Sequence, residues 1–161
     1  LAEHPTARLI ITGEGPAHET LVKRAQEMGV ADAVLFLGYL DRNGPLQAAY
    51  RAADVFVFAS RTETQGLVLL EAMALGTPVV STAMMGTLDV LKEGEGCLIA
   101  EDNHDDFAAK VNRLLSDEAL RQQLAERAKT YAASWHEDAK CVELVSLYRK
   151  LVAERLVMAR K

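Results

Sequence analysis

Short apolar runs alternate with amphipathic stretches over the first hundred residues, and afterwards only the helical period remains. "ARLIITG" (Ala7 to Gly13) is a β-branched run stopped by glycine, the pattern of a buried strand. In "AHETLVKRAQEMG", Leu21, Val22, Ala25 and Met28 fall at helical spacing, with Gly29 as a stop. "AVLFLG" (Ala33 to Gly38) predicts a second strand. "GPLQAAYRAA" predicts a short helix with Pro45 early and Leu46, Ala49, Tyr50 and Ala53 on one face. "DVFVFAS", "PVVST" and "GCLIA" read as three more strands.

From Leu67 to Leu75 every residue is apolar except Glu71, which predicts a buried helix carrying one carboxylate. An unpartnered buried carboxylate costs several kcal/mol, so Glu71 needs a partner. Beyond residue 100 the pattern predicts three amphipathic helices. Ser116 stands as the expected cap of the second, with Asp117 and Glu118 in its first turn. Trp135, at the start of the last helix, reads as a core anchor.

Alternation of strand and helix at this spacing implies a parallel sheet flanked by helices. The expected architecture is one α/β, Rossmann-like domain over residues 1–161. Residues 1–100 alternate strand and helix, and 101–161 form a mainly helical C-terminal extension.

Composition narrows the function. Half of the 161 residues are apolar, enough for a substantial core. The formal net charge of −5 is mixed along the chain, which argues against nucleic-acid binding. Cys97 and Cys141 lack metal-ligand or C-x-x-C spacing, so both are expected as free, buried thiols of a reducing, cytoplasmic compartment. The four histidines share no spacing that would form a metal-ligand set, and no metal or cofactor is expected. The start of the chain has no signal-peptide pattern, and no run reaches the ~20 apolar residues of a membrane span. Because it begins without Met and enters a strand at once, the chain reads as a piece of a longer protein.

Ligands of open parallel sheets bind beyond the C-terminal ends of the strands. The loops to inspect are therefore "TGEGP", "LGYLDRNG", "SRTETQG" and "STAMMGTLD". Gly66 opens the apolar helix, and a helix N-terminus offers free N–H groups and partial positive charge to a phosphate. Glu71 follows five residues later, about 7.5 Å along the axis, a plausible reach from a diphosphate to its ribose. A carboxylate there can accept from both ribose hydroxyls. Glu63 precedes the helix, on the other side of the diphosphate. Arg42, Arg61 and Lys92 are the cations nearest in sequence to this rim.

"ETQGLVLLEAMALGTPVV" resembles the E-x7-E segment of the retaining GT-B glycosyltransferases of family 4. "ARLIITGEGP", "VLFLGYL", "AYRAADVFVFAS" and "TYAASWHEDAKCVELVSLYRKL" resemble flanking parts of the family in the same order. The resemblance implies the C-terminal, donor-binding half of such an enzyme. Glu71 would hold the ribose, Glu63 would contact the donor sugar as the catalytic-site acid, and the Gly66 and Leu67 amides would meet the diphosphate. Gly38 and Tyr39 would frame the base. Met85, Gly86 and Thr87 would line the sugar side.

The implied substrate is a UDP-, GDP- or ADP-sugar, with no metal bound by the protein. The implied partner is an acceptor-binding N-terminal domain absent from this chain, through which the whole enzyme could associate peripherally with the inner face of a membrane. The sequence departs from the family pattern at Gln65, where an aromatic is usual, and at Asp89, where Glu is common. The family segment whose Arg and Lys neutralise the diphosphate would precede residue 7. This chain alone is therefore expected to be inactive.

Two alternatives stand beside this reading. Glu71 could be a carboxylate paired with a structural Arg or Lys. The domain could also be a degenerate, non-catalytic module kept for nucleotide binding or protein association, to which Gln65 and the Met84–Met85 pair would point.

Overall fold

The computed structural model describes residues 3–158. Among the described residues, five strands and six of seven helices follow the expected order, and the short α4 is added to it: β1 (Leu9–Thr12), α1 (His18–Glu27), β2 (Val34–Gly38), α2 (Pro45–Ala52), β3 (Phe56–Phe58), α3 (Leu67–Ala74), β4 (Val79–Ser81), α4 (Gly86–Val90), β5 (Cys97–Ile99), α5 (His104–Ser116), α6 (Glu118–Ala133) and α7 (Glu137–Met158). A 3-10 turn, Ala31–Ala33, leads into β2. All strand pairings are parallel, as the alternation of elements requires.

The strands form two patches, β1-β2 and β3-β4-β5. In the second patch, successive side chains point to opposite faces and enter different clusters. Val79 and Cys97 join Leu69, Ala72 and Met73 of α3 and Ala128 and Ala132 of α6. Val80 and Leu98, each one residue later, join Leu114 of α5 and Leu124 of α6. The three-stranded sheet therefore has apolar cover on both faces, and its core fixes the position of α3.

The two-stranded patch differs from expectation. β1 pairs with β2 alone, and Leu9, Ile10, Leu35 and Leu37 stay 40–44% exposed. The buried strand predicted at residues 7–13 is a strand but is not buried: neighbouring Leu9 and Ile10, which point to opposite faces, are both exposed, and the β1-β2 ladder contributes no residue to either apolar cluster that covers β3-β4-β5. Of the apolar stripe predicted on α1, Ala25 alone is buried.

Helix starts follow side-chain chemistry. Pro45 lies in the first turn of α2 after Gly44. Asn103 caps α5, its side chain accepting from the Asp106 amide at 2.9 Å. α6 corrects the expected cap. Ser116 closes α5, and Asp117 caps α6 by accepting from the Leu120 amide at 2.9 Å. Trp135 lies in the α6–α7 turn, half-buried rather than in the core, tilted against Tyr131 and carrying Lys140 over its ring. α7 leaves Val142, Val145, Tyr148, Leu151 and Val152 exposed. Among the described residues, no helix is long and apolar enough to cross a membrane.

Candidate functional site

The loop that joins β3 to α3, residues 59–66, carries Glu63. Gly66, its N-cap, is buried and left-handed (φ 70°, ψ 19°), a conformation glycine adopts without a Cβ penalty. The Glu63 carboxylate accepts from the Gln65 amide at 2.8 Å and the Gly66 amide at 3.0 Å. Those bonds hold the Glu63 carboxyl below the usual glutamate range, Gln65 contributing most. The Gly66 amide, which sequence reasoning assigned to a diphosphate, is thus engaged by Glu63. Leu67, first residue of the helix, is exposed.

A second loop closes on the first. The Gly86 amide donates to the Glu63 carbonyl at 3.1 Å. A Cβ on Gly86 would fall 1.9 Å from the Thr64 carbonyl oxygen, so only glycine permits this approach. Ala83 and Met85 carry positive φ without being glycine, at 46° and 52°. Two such residues within one turn mark a strained segment, and strain of this kind concentrates at functional sites. Met85 is exposed at the rim. Thr87 is fully buried, with its hydroxyl donating to the Met84 carbonyl at 2.6 Å. Gly86 and Thr87 therefore build the loop, while Met85 presents a side chain to solvent.

Glu71 has the partner its position demanded. Its carboxylate accepts from the Arg42 guanidinium, which comes from the loop after β2. The helix leaves Glu71 one-third exposed rather than buried, because α3 turns Leu69, Ala72 and Met73 into the core and Glu71 toward its edge. Tyr50 of α2 lies beside the pair. Burial raises its phenol pKa most; the Glu71 charge and a hydrogen bond to that carboxylate add to the effect, and Arg42 opposes it. The backbone carbonyl of Tyr50 accepts from the Thr77 hydroxyl at 2.7 Å, tying α2 to the segment after α3.

Gly38 and Tyr39 sit at the end of β2. Gly38 is left-handed (φ 63°), and its carbonyl accepts from the Gly13 amide at 2.7 Å, bringing the "TGEGP" and "LGYLD" loops together. Tyr39 is 68% exposed. Of the other rim cations, Arg61 pairs with Asp102 at 3.0 Å and Lys92 with Glu95 at 3.8 Å. Asp89 lies exposed in the first turn of α4.

The structure thus brings Glu63, Gly66, Gly86 and Thr87 into one two-loop unit, and Glu71, Arg42 and Tyr50 into a second cluster further along α3. Gly38 and Tyr39 belong to the separate β1-β2 patch. Sequence reasoning placed Tyr50 on the apolar face of its helix and missed its place beside Glu71. Its signal was the phenol itself, a buried aromatic needing a polar neighbour.

Comparison with known proteins gives this arrangement a context. The family model described as glycosyl transferases group 1 matches residues 1–131. The chain is 37% identical over 171 residues to the D-inositol 3-phosphate glycosyltransferase of Acidothermus cellulolyticus, a match covering 99% of this chain and 37% of that protein. The chain thus spans well under half the length of that relative. Among solved structures, it is similar to the sucrose-phosphate synthase of Thermosynechococcus elongatus. That match has a TM-score of 0.74 and 27% identity, covering 95% of this chain and 40% of the other. It is also similar to the C-terminal domain of a glycosyl transferase group 1 family protein (LpcC) from Francisella tularensis. Here the TM-score is 0.74 with 26% identity, over 83% of this chain and 72% of that one.

Proposed function

We propose, from the premise that this chain belongs to the glycosyl transferases group 1 family, that it is the donor-nucleotide half of a retaining, family 4 enzyme of GT-B fold. The parent enzyme moves a hexose from a UDP-, GDP- or ADP-sugar to an acceptor hydroxyl. Residues 1–161 form the donor domain. An N-terminal domain outside this chain reads the acceptor and meets any membrane surface at the cytoplasmic face.

The observation that carries this reading is the placement of two acids around one helix start. Glu63 is pinned before α3 by two backbone amides, Glu71 stands on the helix five residues past Gly66, and both lie beyond the C-terminal end of a parallel strand. In this reading Glu71 holds the ribose hydroxyls and Gly38 and Tyr39 frame the base. The Leu67 amide, the positive end of α3 and basic residues stabilise the departing diphosphate. Glu63, already ionised and held in place, orients the donor sugar, with Met85 at the rim. Gly86 and Thr87 support that side through the loop they build. No protein-bound metal takes part, and this chain by itself transfers no sugar.

Ligand-observed NMR of the chain with millimolar UDP, GDP and ADP tests the reading, with Glu71→Ala as control. Binding of one nucleotide that is lost in the variant is the expected result and identifies the base. Nucleotide binding that survives Glu71→Ala unchanged would instead favour a non-catalytic module of the same fold.

A further inference from the structure

We infer that Arg42 competes with the nucleotide for Glu71, so that ligand entry must displace an internal ion pair. The inference rests on the reading above, in which Glu71 accepts from the ribose. The Arg42 guanidinium donates to Glu71 Oε1, one of the two oxygens that a pair of ribose hydroxyls would take, so a two-point ribose contact must win that oxygen from a charged and therefore stronger donor.

Three features make the pair exchangeable. The Arg42 side chain is 66% exposed and that of Glu71 33%, so both ends can return to water. Exposed ion pairs contribute little and are screened by salt. The backbone beneath Arg42 is anchored without its side chain. The Asn43 amide donates to the Asp41 carboxylate at 2.7 Å, and the Leu46 amide donates to the Asp41 carbonyl at 3.0 Å. Displacement is therefore a rotamer change and leaves the loop standing. Arg61 and Lys92 are held by Asp102 and Glu95, so Arg42 is the rim cation that reaches Glu71.

An uncharged probe isolates the effect, because a nucleoside gives Arg42 no phosphate to bind. Uridine, guanosine and adenosine are titrated against the full chain, its Arg42→Gln and Glu71→Gln variants, and the double variant, at low and at high salt. UDP, GDP and ADP are run in parallel.

Removing Arg42 is expected to tighten nucleoside binding roughly two- to fivefold, the range an exposed pair supports. The wild-type chain should bind the nucleoside better as salt rises, while Arg42→Gln should be insensitive. The gain should vanish when Glu71 is already Gln. Binding by Arg42→Gln alone also supports the competition.

If a nucleotide binds through Glu71 but Arg42→Gln leaves nucleoside affinity unchanged or weaker, the competition is overturned and the donor-site reading stands. If neither the folded wild type nor folded Arg42→Gln binds any nucleoside or nucleotide, both fall. Circular dichroism checks the fold of each variant.

Discussion

Glu63 accepts the Gly66 amide at 3.0 Å, so the acid that precedes α3 is tied to the backbone of the glycine at which the helix starts. Its bonding also makes stability depend on pH. The folded-state pKa of Glu63 lies below its ordinary 4.5. The stabilisation is therefore present above that value and is lost as pH falls through the lower, folded one. Asp106 behaves alike, held down first by the Glu101 amide and then by Lys110. Thermal melts of wild type and Glu63→Gln should diverge at neutral pH and converge in strong acid. Asp106→Asn should show the same convergence independently. Parallel pH profiles would contradict the assignment.

Gly66 and Gly86 face each other's loops but answer to different constraints. A Cβ on Gly66 meets Leu69, Thr87 and Val90 at an ordinary 3.5 Å, so Gly66→Ala should cost only the left-handed backbone, about 1–2 kcal/mol. A Cβ on Gly86 meets backbone at 1.9 Å and cannot be accommodated without separating the loops. Chemical denaturation should rank Gly86→Ala as clearly more destabilising. An equal or reversed order would mean that the 84–87 turn yields more readily than its contacts indicate.

How much of this was legible in the sequence depends on the range of each interaction. Strand β4 and helix α3 could be read from local apolar runs, because their burial is written into their own residues. The cap of α6 was read one residue early, since Ser116 and Asp117 are both good caps and only the geometry of the α5–α6 turn chooses between them. Helix α4, five residues long, is too short to show a period. The Arg42–Glu71 pair joins positions 29 apart, and nothing local to either residue specifies the other. The demand for a partner was visible at Glu71; its identity was not. The exposure of β1 was hidden for the same reason, since a β-branched run looks alike whether or not a second layer covers it.

The cap gives a direct comparison. Asp117→Ala removes the acceptor for the Leu120 amide and should destabilise the protein by about 1 kcal/mol. Ser116→Ala, at the end of α5, should leave stability within ~0.5 kcal/mol, as most surface changes do. Urea unfolding of the two variants separates the assignments, and a larger loss in Ser116→Ala would restore Ser116 as the cap.

The two cysteines should differ sharply in reactivity, for reasons that lie in the core and not in the loops. Cys97 is fully buried on β5, its thiol donating to the Lys92 carbonyl at 3.2 Å. Burial, with the nearby Glu93 charge second, pushes its pKa up to about 12. The reactive species is the thiolate, so at pH 8 Cys97 is both shielded and protonated. Cys141, expected to be buried, is instead exposed, because it lies on α7, whose apolar residues are themselves largely uncovered. A thiol-specific chromogenic reagent should therefore titrate one cysteine in the folded chain and the second only after denaturant is added. Cys141→Ser should abolish the native signal and Cys97→Ser should preserve it. Rapid labelling of Cys97 under native conditions would mean that β5 opens from the α6 surface on the timescale of the reaction.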